Sequence, residues 1–389
     1  IETQEYRMSR IKVVHICDKF GMKGSTVHGA SRLFSWWMPR FDYDRFDVRL
    51  YGLKKPDQSS RALEAEGVKL TYLCKSATDP TTLLSFLKVL RRDHPDILHL
   101  HGWTSAHYGR IAGRLAGIPT IMHEHGAHPF VPKSQQVADR LLSKLTDIAI
   151  AVSRASRDFL VQSRYVDPQK VRVIFNGVPI SDFHASTQEA IRETRECLGI
   201  PPDCPVVGTI GRLDIEKGMD HFLRAAKVVL GKFPSVRFLI VGDGPLRQDL
   251  EQMTRDLEIT GSVLFTGYRP DVPRIQSIIG IQVFASLWDG APLTAFEAMA
   301  MGKAVVTTNA GGLAEIFEHE QTALVVPPGD SRALADAVGR LLGDNSLAYE
   351  LGRNARDVSM KYDIGHTVRN LESLYEEVSL RRSGSMASP

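Results

Sequence analysis

The run Pro205-Val206-Val207-Gly208-Thr209-Ile210-Gly211-Arg212-Leu213-Asp214-Ile215-Glu216-Lys217-Gly218 marks a restart in the chain. Its first half is a short apolar segment of strand length. Its second half turns polar and leads into the amphipathic pattern Met219 to Leu230. An apolar run followed by a helical period opens a βαβ unit, whose parallel strands are buried on both faces. An earlier series of the same kind precedes it: Ile11 to Ile16, Asp96 to Leu100, Thr120 to His123, Ile148 to Val152 and Val171 to Ile174, with helical patterns Thr82 to Arg92, Ala106 to Ala116 and Ala155 to Gln162 between them. A second series follows: Val236 to Val241, Val263 to Phe265, Gln282 to Ala285, Ala304 to Thr307 and Ala323 to Val325. The stretch Asn176 to Cys204, rich in Gly, Pro and charge, reads as the linker.

One sheet of a dozen parallel strands would be unusual, so two doubly wound α/β domains are expected. The first spans 1–180 and the second 181–363. A last helical pattern, His366 to Val378, is expected as a helix over about 364–380 that packs back on the first domain. The chain's 389 residues suit two cores. In open α/β sheets ligands bind beyond the C-terminal strand ends, so two facing domains make a deep cleft.

Lys plus Arg is 48 and Asp plus Glu 45, a net charge of +3 that gives no reason to expect nucleic acid as a partner. Cys17, Cys74, Cys197 and Cys204 show no CxxC spacing, which fits a reducing compartment and speaks against a zinc site. No apolar run reaches membrane-spanning length and no signal peptide is read, so the expected location is cytoplasmic, with peripheral contact at the inner membrane face as an alternative. Lys133, Arg140 and Lys144 on a candidate helix read as a solvated face, with anionic lipid as the alternative. Trp36, Trp37 and Met38 stand at helical spacing behind Leu33 and Phe34 and read as core.

The motif with most chemistry is Asp289-Gly290-Ala291-Pro292-Leu293-Thr294-Ala295-Phe296-Glu297, just past an apolar run. Gly290 and Pro292 suit a tight turn and Leu293 a helix start, whose free N–H groups suit a phosphate. Glu297, one turn in, can reach ribose hydroxyls, and Asp289 can hold sugar hydroxyls; a turn cap and a solvated glutamate are the plain alternatives. Arg212 and Lys217 stand at a strand end and a helix start. Beside a diphosphate they stabilise the charge that grows as a sugar–phosphate bond breaks. Surface pairing with Asp214 and Glu216 is the alternative.

Together these residues resemble retaining glycosyltransferase family 4, the GT-B enzymes that include bacterial sucrose-phosphate synthases and phosphatidylinositol mannosyltransferases. The G-R-x-x-x-x-K-G run is Gly211 to Gly218, and the carboxylate pair with seven residues between is Asp289 and Glu297, Asp replacing the family's first Glu. Val241-Gly242-Asp243-Gly244-Pro245-Leu246, Phe265-Thr266-Gly267-Tyr268, Asn176-Gly177-Val178 and Asn309-Ala310-Gly311-Gly312-Leu313-Ala314-Glu315 are similar to further family motifs in the same order.

The resemblance implies a retaining, front-face transfer of a sugar from a nucleotide-diphosphate sugar, UDP-sugars favoured, to a hydroxyl acceptor, with no metal or other cofactor. Arg212 and Lys217 would hold the diphosphate, Glu297 the ribose, and Leu293 and Thr294 the phosphate through backbone N–H. Tyr268 and Arg269 would line the base pocket. In His123-Glu124-His125-Gly126 either His125, favoured by its distance from Pro119, or His123 would meet the donor sugar, with Glu124 facing the other way. His99 is expected inside and His101 at the acceptor edge. The stretch His28-Gly29-Ala30-Ser31-Arg32-Leu33 resembles the family's G-G-x-E-R-x-L, with His28 replacing the first Gly. There Gly29 would admit the phosphate, and the Gly21 to Ser25 loop, with Gly24, would close over the acceptor. The acceptor is a small molecule, a glycan or a lipid-linked group. Asp42-Tyr43-Asp44 precedes an apolar run, the wrong side for a metal-binding DxD. A nucleotide-sugar epimerase or phosphorylase, or a non-catalytic binding protein, are the competing readings.

Overall fold

The computed structural model describes residues 10–21, 29–126 and 130–386, apart from the side chains of residues 30 and 382–386. Gly24 and His28 lie outside the described residues.

Among the described residues thirteen strands run in two wholly parallel sheets. In the first half they are β1 (Ile11–Cys17), β2 (Phe46–Gly52), β3 (Leu70–Tyr72), β4 (Ile97–His101), β5 (Thr120–Glu124), β6 (Ile148–Ala151) and β7 (Val171–Val173). The second sheet holds β8 (Val206–Ile210), β9 (Arg237–Val241), β10 (Val263–Gly267), β11 (Ile281–Phe284), β12 (Ala304–Thr308) and β13 (Leu324–Val326). Strand orders are β3-β2-β1-β4-β5-β6-β7 and β10-β9-β8-β11-β12-β13. Each order reverses beside its first strand, so each domain has one switch point, β1/β4 and β8/β11. Strands β2 and β3 escaped the sequence reading: β2 alternates buried and half-exposed positions at its start, and β3 is a three-residue edge strand.

The Asn176 to Cys204 stretch is more ordered than a linker. It contains the helix Gln188–Cys197, which packs on the helix Val272–Ile278 of the second sheet, with Arg274 bonding Thr194 and Glu193. The chain crosses between sheets at Val178, and crosses back beside itself: Val178 N–H donates to Tyr362 O (3.0 Å) and Ile364 N–H to Val178 O (3.0 Å). The helix Ile364–Met386 then lies on β1, β4 and the helix Gly29–Trp37. Trp37 and Phe34 are fully buried there, at roughly 1.5–3 kcal/mol per large apolar side chain, and Trp36 is half-buried beneath Arg32. The four cysteines are free thiols, Cys17 and Cys204 buried.

Candidate active site

A cleft of about 650 Å³ lies where the C-terminal strand ends of the two sheets face each other. At the first switch point, Asp18 follows β1. Its carboxylate accepts from Thr104 N–H (2.7 Å) and Ser105 N–H (2.6 Å), so the start of the helix Trp103–Ala116 is already taken by an anion. Gly102, at φ 98°, makes this possible: a Cβ there would stand 2.7 Å from Asp18. The corresponding helix of the second domain, Leu293–Ala300, begins at Pro292 with no capping side chain. Its first turn, Leu293 and Thr294, lines the cleft. Its free N–H groups leave this end able to take a phosphate.

Arg212 follows β8, and Lys217 ends the short 3-10 turn Ile215–Lys217; both line the cleft. Arg212 Nη2 is 2.9 Å from Asp214 Oδ2 and 3.0 Å from Glu216 Oε1, so the local pairing alternative is realised for this residue. Lys217 instead reaches across the switch point: Nζ is 2.6 Å from Asp289 Oδ2. Gly218, at φ 57°, lets that loop pass Ala285 O, which a Cβ would meet at 2.1 Å. Asp289 also receives Ser286 Oγ–H (3.2 Å) at Oδ2 and Gly290 N–H (3.0 Å) at Oδ1. Asp289 thus caps its own turn and faces the cleft at once. Gly29, Gly211, Tyr268 and Arg269 line the same space; Arg269 is held by two bonds to Asp271 (2.8 and 2.6 Å). A Cβ on Gly29 would meet nothing within 4 Å, so that position is open rather than tight.

Glu297 is not a solvated residue: it is fully buried, and its charge meets Arg32 Nη1 at 2.7 Å from the helix Gly29–Trp37 of the other domain. Burial pushes the carboxyl upward, opposed by Arg32. Glu315 is a second bridge, accepting from Arg154 N–H and Ala155 N–H at 2.9 Å each.

The sequence reading missed Lys19, just after β1 at the cleft. Burial lowers its ammonium, and the charges of Lys54 and Arg212 lower it further. That repulsion marks a cationic patch contributed by both domains, and only the fold brings its members together. Asp42-Tyr43-Asp44 sits before β2, at the opposite end from the strand termini that form the cleft.

The histidines are the larger surprise. His15 on β1 stands in register with His99 on β4, and His101 with His123 on β5. With His125 and Tyr375 they make one hydrogen-bonded chain. His101 is buried inside this chain, though it also touches the cleft with His123 and His125. Glu124 pairs with Arg164 Nη1 at 2.7 Å, and both residues also line the cleft. Burial brings His15 down to about 3 and holds His99, His101 and His123 well below the ordinary imidazole value, their neighbours adding to the effect. Two groups of three histidines, 15/99/101 and 101/123/125, bring their nitrogens within 4.8 Å of one another. Yet His15–His101, His99–His123 and His101–His125 are near-parallel ring pairs with facing nitrogens 3.0–3.1 Å apart. Facing lone pairs at that spacing share a proton; an ion at about 2.0–2.1 Å from each nitrogen needs them splayed around it.

The chain matches the family model described as Glycosyl transferases group 1 over residues 190–358, and that described as Glycosyltransferase Family 4 over residues 38–182. It is 30% identical over 288 residues to the UDP-Gal:alpha-D-GlcNAc-diphosphoundecaprenol alpha-1,3-galactosyltransferase of Escherichia coli, covering 71% of this chain and 74% of that one. The chain belongs to glycosyltransferase family 4. A D-inositol 3-phosphate glycosyltransferase of Corynebacterium urealyticum is 28% identical over 68% of this chain and 69% of its own. The GT-B fold is shared with Anabaena HepE, solved with UDP (TM-score 0.82, 22% identity, 94% of this chain and 100% of that one), and with the sucrose-phosphate synthase of Thermosynechococcus elongatus (TM-score 0.77, 20% identity, 95% and 99%). This family 4 enzyme is therefore a glycosyl transferase rather than a non-catalytic binding protein. Among its described residues no helix is long and apolar enough to cross a membrane.

Proposed function

We propose that this enzyme moves a sugar from a UDP-sugar to a hydroxyl acceptor with retention at the anomeric carbon. The observation that carries the reading is that Arg212, Lys217 and the uncapped helix start at Leu293 from the second domain and Lys19 from the first all line one cleft. Three cations and a helix dipole aimed at one place suit a diphosphate, and suit it most when its charge grows on leaving. The UDP of the HepE structure and the UDP-Gal in the name of the E. coli relative support the choice of base.

In this reading Glu297 holds the ribose, exchanging Arg32 for two hydroxyls, and Tyr268 and Arg269 flank the base. The bond from C1 to the diphosphate oxygen breaks, the acceptor oxygen bonds C1 on the same face, and the acceptor's proton passes to the departing phosphate oxygen. The cleft carboxylate beside Lys217, Asp289, is held by Lys217, Ser286 and Gly290. It is therefore ill-placed as the covalent nucleophile a double displacement needs. The residues supply the charge stabilisation without a metal step.

For the acceptor, the surface beside the cleft favours a lipid-linked molecule. Phe130 lines the cleft yet is 82% exposed, and the adjoining helix Lys133–Leu142 exposes Val137 (62%) and Leu141 (71%). With Lys133, Arg140 and Lys144 nearby, apolar groups on a basic helix suit an anionic lipid surface better than water.

Thermal shift across UDP- and GDP-sugars tests the donor. A UDP-sugar at 100 times its Kd adds about 2.7 kcal/mol, roughly 5–11 °C for domains of this size. A GDP-sugar raising the midpoint in its place overturns the base, and a product of inverted anomeric configuration by NMR overturns the mechanism.

A further inference from the structure

The five histidines form two rows of imidazoles closed by one tyrosine. One row is His125 Nε2 to His101 Nδ1 (3.0 Å), then His101 Nε2 to His15 Nδ1 (3.0 Å). The other is His123 Nδ1 to His99 Nε2 (3.1 Å). Within rows, ring centroids are 5.2–5.3 Å apart and planes 9–22° apart, the geometry of in-plane hydrogen bonds. Between rows the rings lie closer, 4.5 Å for His15–His99 and 4.2 Å for His123–His125. At the inner end, Tyr375 of the C-terminal helix touches both rows, its hydroxyl 3.1 Å from His15 Nε2 and 2.8 Å from His99 Nδ1. At the outer end, His123 and His125 line the cleft, and His123 Nε2 is buried with no protein partner among the described residues.

Each neutral imidazole has one N–H and one lone pair, and a tyrosine hydroxyl has one proton. Burial keeps His15, His99, His101 and His123 neutral and raises Tyr375 well above the ordinary phenol value. The connections always enter a ring at Nδ1 and leave at Nε2, so the choice at one ring fixes the next. If Tyr375 donates to His99, then His99 and His123 carry their protons on Nε2, while His15, His101 and His125 must also carry theirs on Nε2 to deliver one to the tyrosine oxygen. If Tyr375 donates to His15, all five carry them on Nδ1.

We propose that Tyr375 and the five histidines form a tautomer relay with two uniform states, which sets whether His123 donates or accepts a hydrogen bond at the cleft. In the Nε2–H state His123 donates from Nε2; in the other state it accepts there. Passing from the first to the second takes one proton in at His125 Nδ1, moves five protons one bond along the chain, and releases one from His123 Nε2 to a hydroxyl or water in the cleft. No charge is left in the core. The ligand chemistry that fits a group able to take either role is a polyol, whose hydroxyls donate and accept equally. Tyr375, fully buried and not among the residues lining the cleft, is a positioning residue.

The relay is independent of the donor assignment. The test is long-range 1H–15N correlation on the full chain labelled with 15N-histidine at pH 7.5, where protonated and unprotonated ring nitrogens resonate apart. Single substitutions assign the five signals among the 13 histidines. The expected spectrum shows all five neutral and on one tautomer. Tyr375→Phe uncouples the rows, so that the pair His99/His123 and the trio His15/His101/His125 no longer agree or become averaged, with kcat lowered more than KM is raised. A wild-type spectrum with mixed tautomers, or with any of the five charged, overturns the relay whether or not the variant folds. Tautomers unchanged in a folded Tyr375→Phe overturn it too. A uniform ladder in a chain that binds no nucleotide sugar would overturn the donor reading and leave the relay standing.

Discussion

Arg32 Nη1 lies 2.7 Å from Glu297 Oε1 across the domain interface, with the glutamate wholly buried and the guanidinium stacked over Trp36 at 4.8 Å. The helix that presents Glu297 belongs to the second domain and the helix that presents Arg32 to the first. The pair therefore ties the two domains together, and in the proposed reading a bound ribose replaces or rearranges it.

Arg32→Ala leaves a buried carboxylate without its counter-charge. Glu297 holds its proton more tightly folded than unfolded, because burial raises its pKa. Between the unfolded value and the raised one, the folded state binds more protons and stability falls as pH rises. Removing Arg32 takes away the charge that holds the carboxyl down and extends that window upward. The variant is expected to match wild type at pH 4.5 and to lose about 1–3 kcal/mol at pH 8, read by urea unfolding at both pH values. An equal loss at the two would contradict the account.

Glu315 closes the interface from another side. Arg154 and Ala155 open the helix Arg154–Gln162, whose own cap, Ser153, serves Ser156 N–H. The two N–H groups before it are served by a carboxylate from the second domain. Glu315→Ala removes a charge-assisted cap worth about 1–2 kcal/mol. Amide exchange at Arg154 and Ala155 should quicken by about tenfold and small-angle scattering should show a wider domain separation. Unchanged exchange at these two amides would show that the bond does not hold the domains.

Much of this molecule was legible before any coordinates. The two series of strands, the restart at Pro205 and the placing of Arg212, Lys217 and Asp289 at strand ends follow from periodicity, because parallel strands must be apolar and their C-terminal ends must turn polar. What escaped depends on register and on contact between distant segments. The H-x-H pattern of β4 and β5 is visible in the sequence, but His15 joins it only because β1 pairs with β4, and Tyr375 only because the final helix lies across both strands. Lys19 looks like one more lysine until Lys54 and Arg212 are folded up against it. Glu297 reads as a ribose-binding carboxylate one turn into its helix; its pairing with Arg32 of the other domain is not legible in the sequence.

Lys19 gives a pH dependence with a definite sign. Burial and two neighbouring cations lower its pKa in the free enzyme. A bound diphosphate supplies negative charge and raises it again, so binding takes up a proton in the window between the two values. UDP affinity should fall as pH rises through the lowered pKa, below the value near 10.4 where an ordinary lysine titrates. Isothermal titration between pH 7 and 9.5 reads this as a Kd that rises with pH and as buffer-dependent proton uptake. Lys19→Met should bind UDP about 5–20-fold more weakly, the loss of one partly exposed charge pair, and its Kd should no longer follow pH. A slope that persists in the variant assigns the proton elsewhere.

The contact between Lys217 and Asp289 separates binding from turnover. In the free enzyme the ammonium is balanced by the aspartate at 2.6 Å. A diphosphate arriving at Lys217 competes for it and frees an Asp289 oxygen toward the sugar. Lys217→Ala then removes charge stabilisation needed most as the sugar–phosphate bond breaks. By comparison with other electrostatic catalytic groups, kcat should fall by about 100–1,000-fold, with a smaller effect on KM. Asp289→Asn acts in the opposite sense on the ground state. The ammonium loses its internal partner, so UDP, which lacks the sugar, should bind more tightly than in wild type. Turnover should still drop, because the amide cannot hold the sugar hydroxyls as the carboxylate does. Titration with UDP and initial-rate kinetics give a Kd, a kcat and a KM for each variant. If Asp289→Asn weakens UDP as much as it slows transfer, the aspartate serves only to shape its turn, and the sugar is held by other residues.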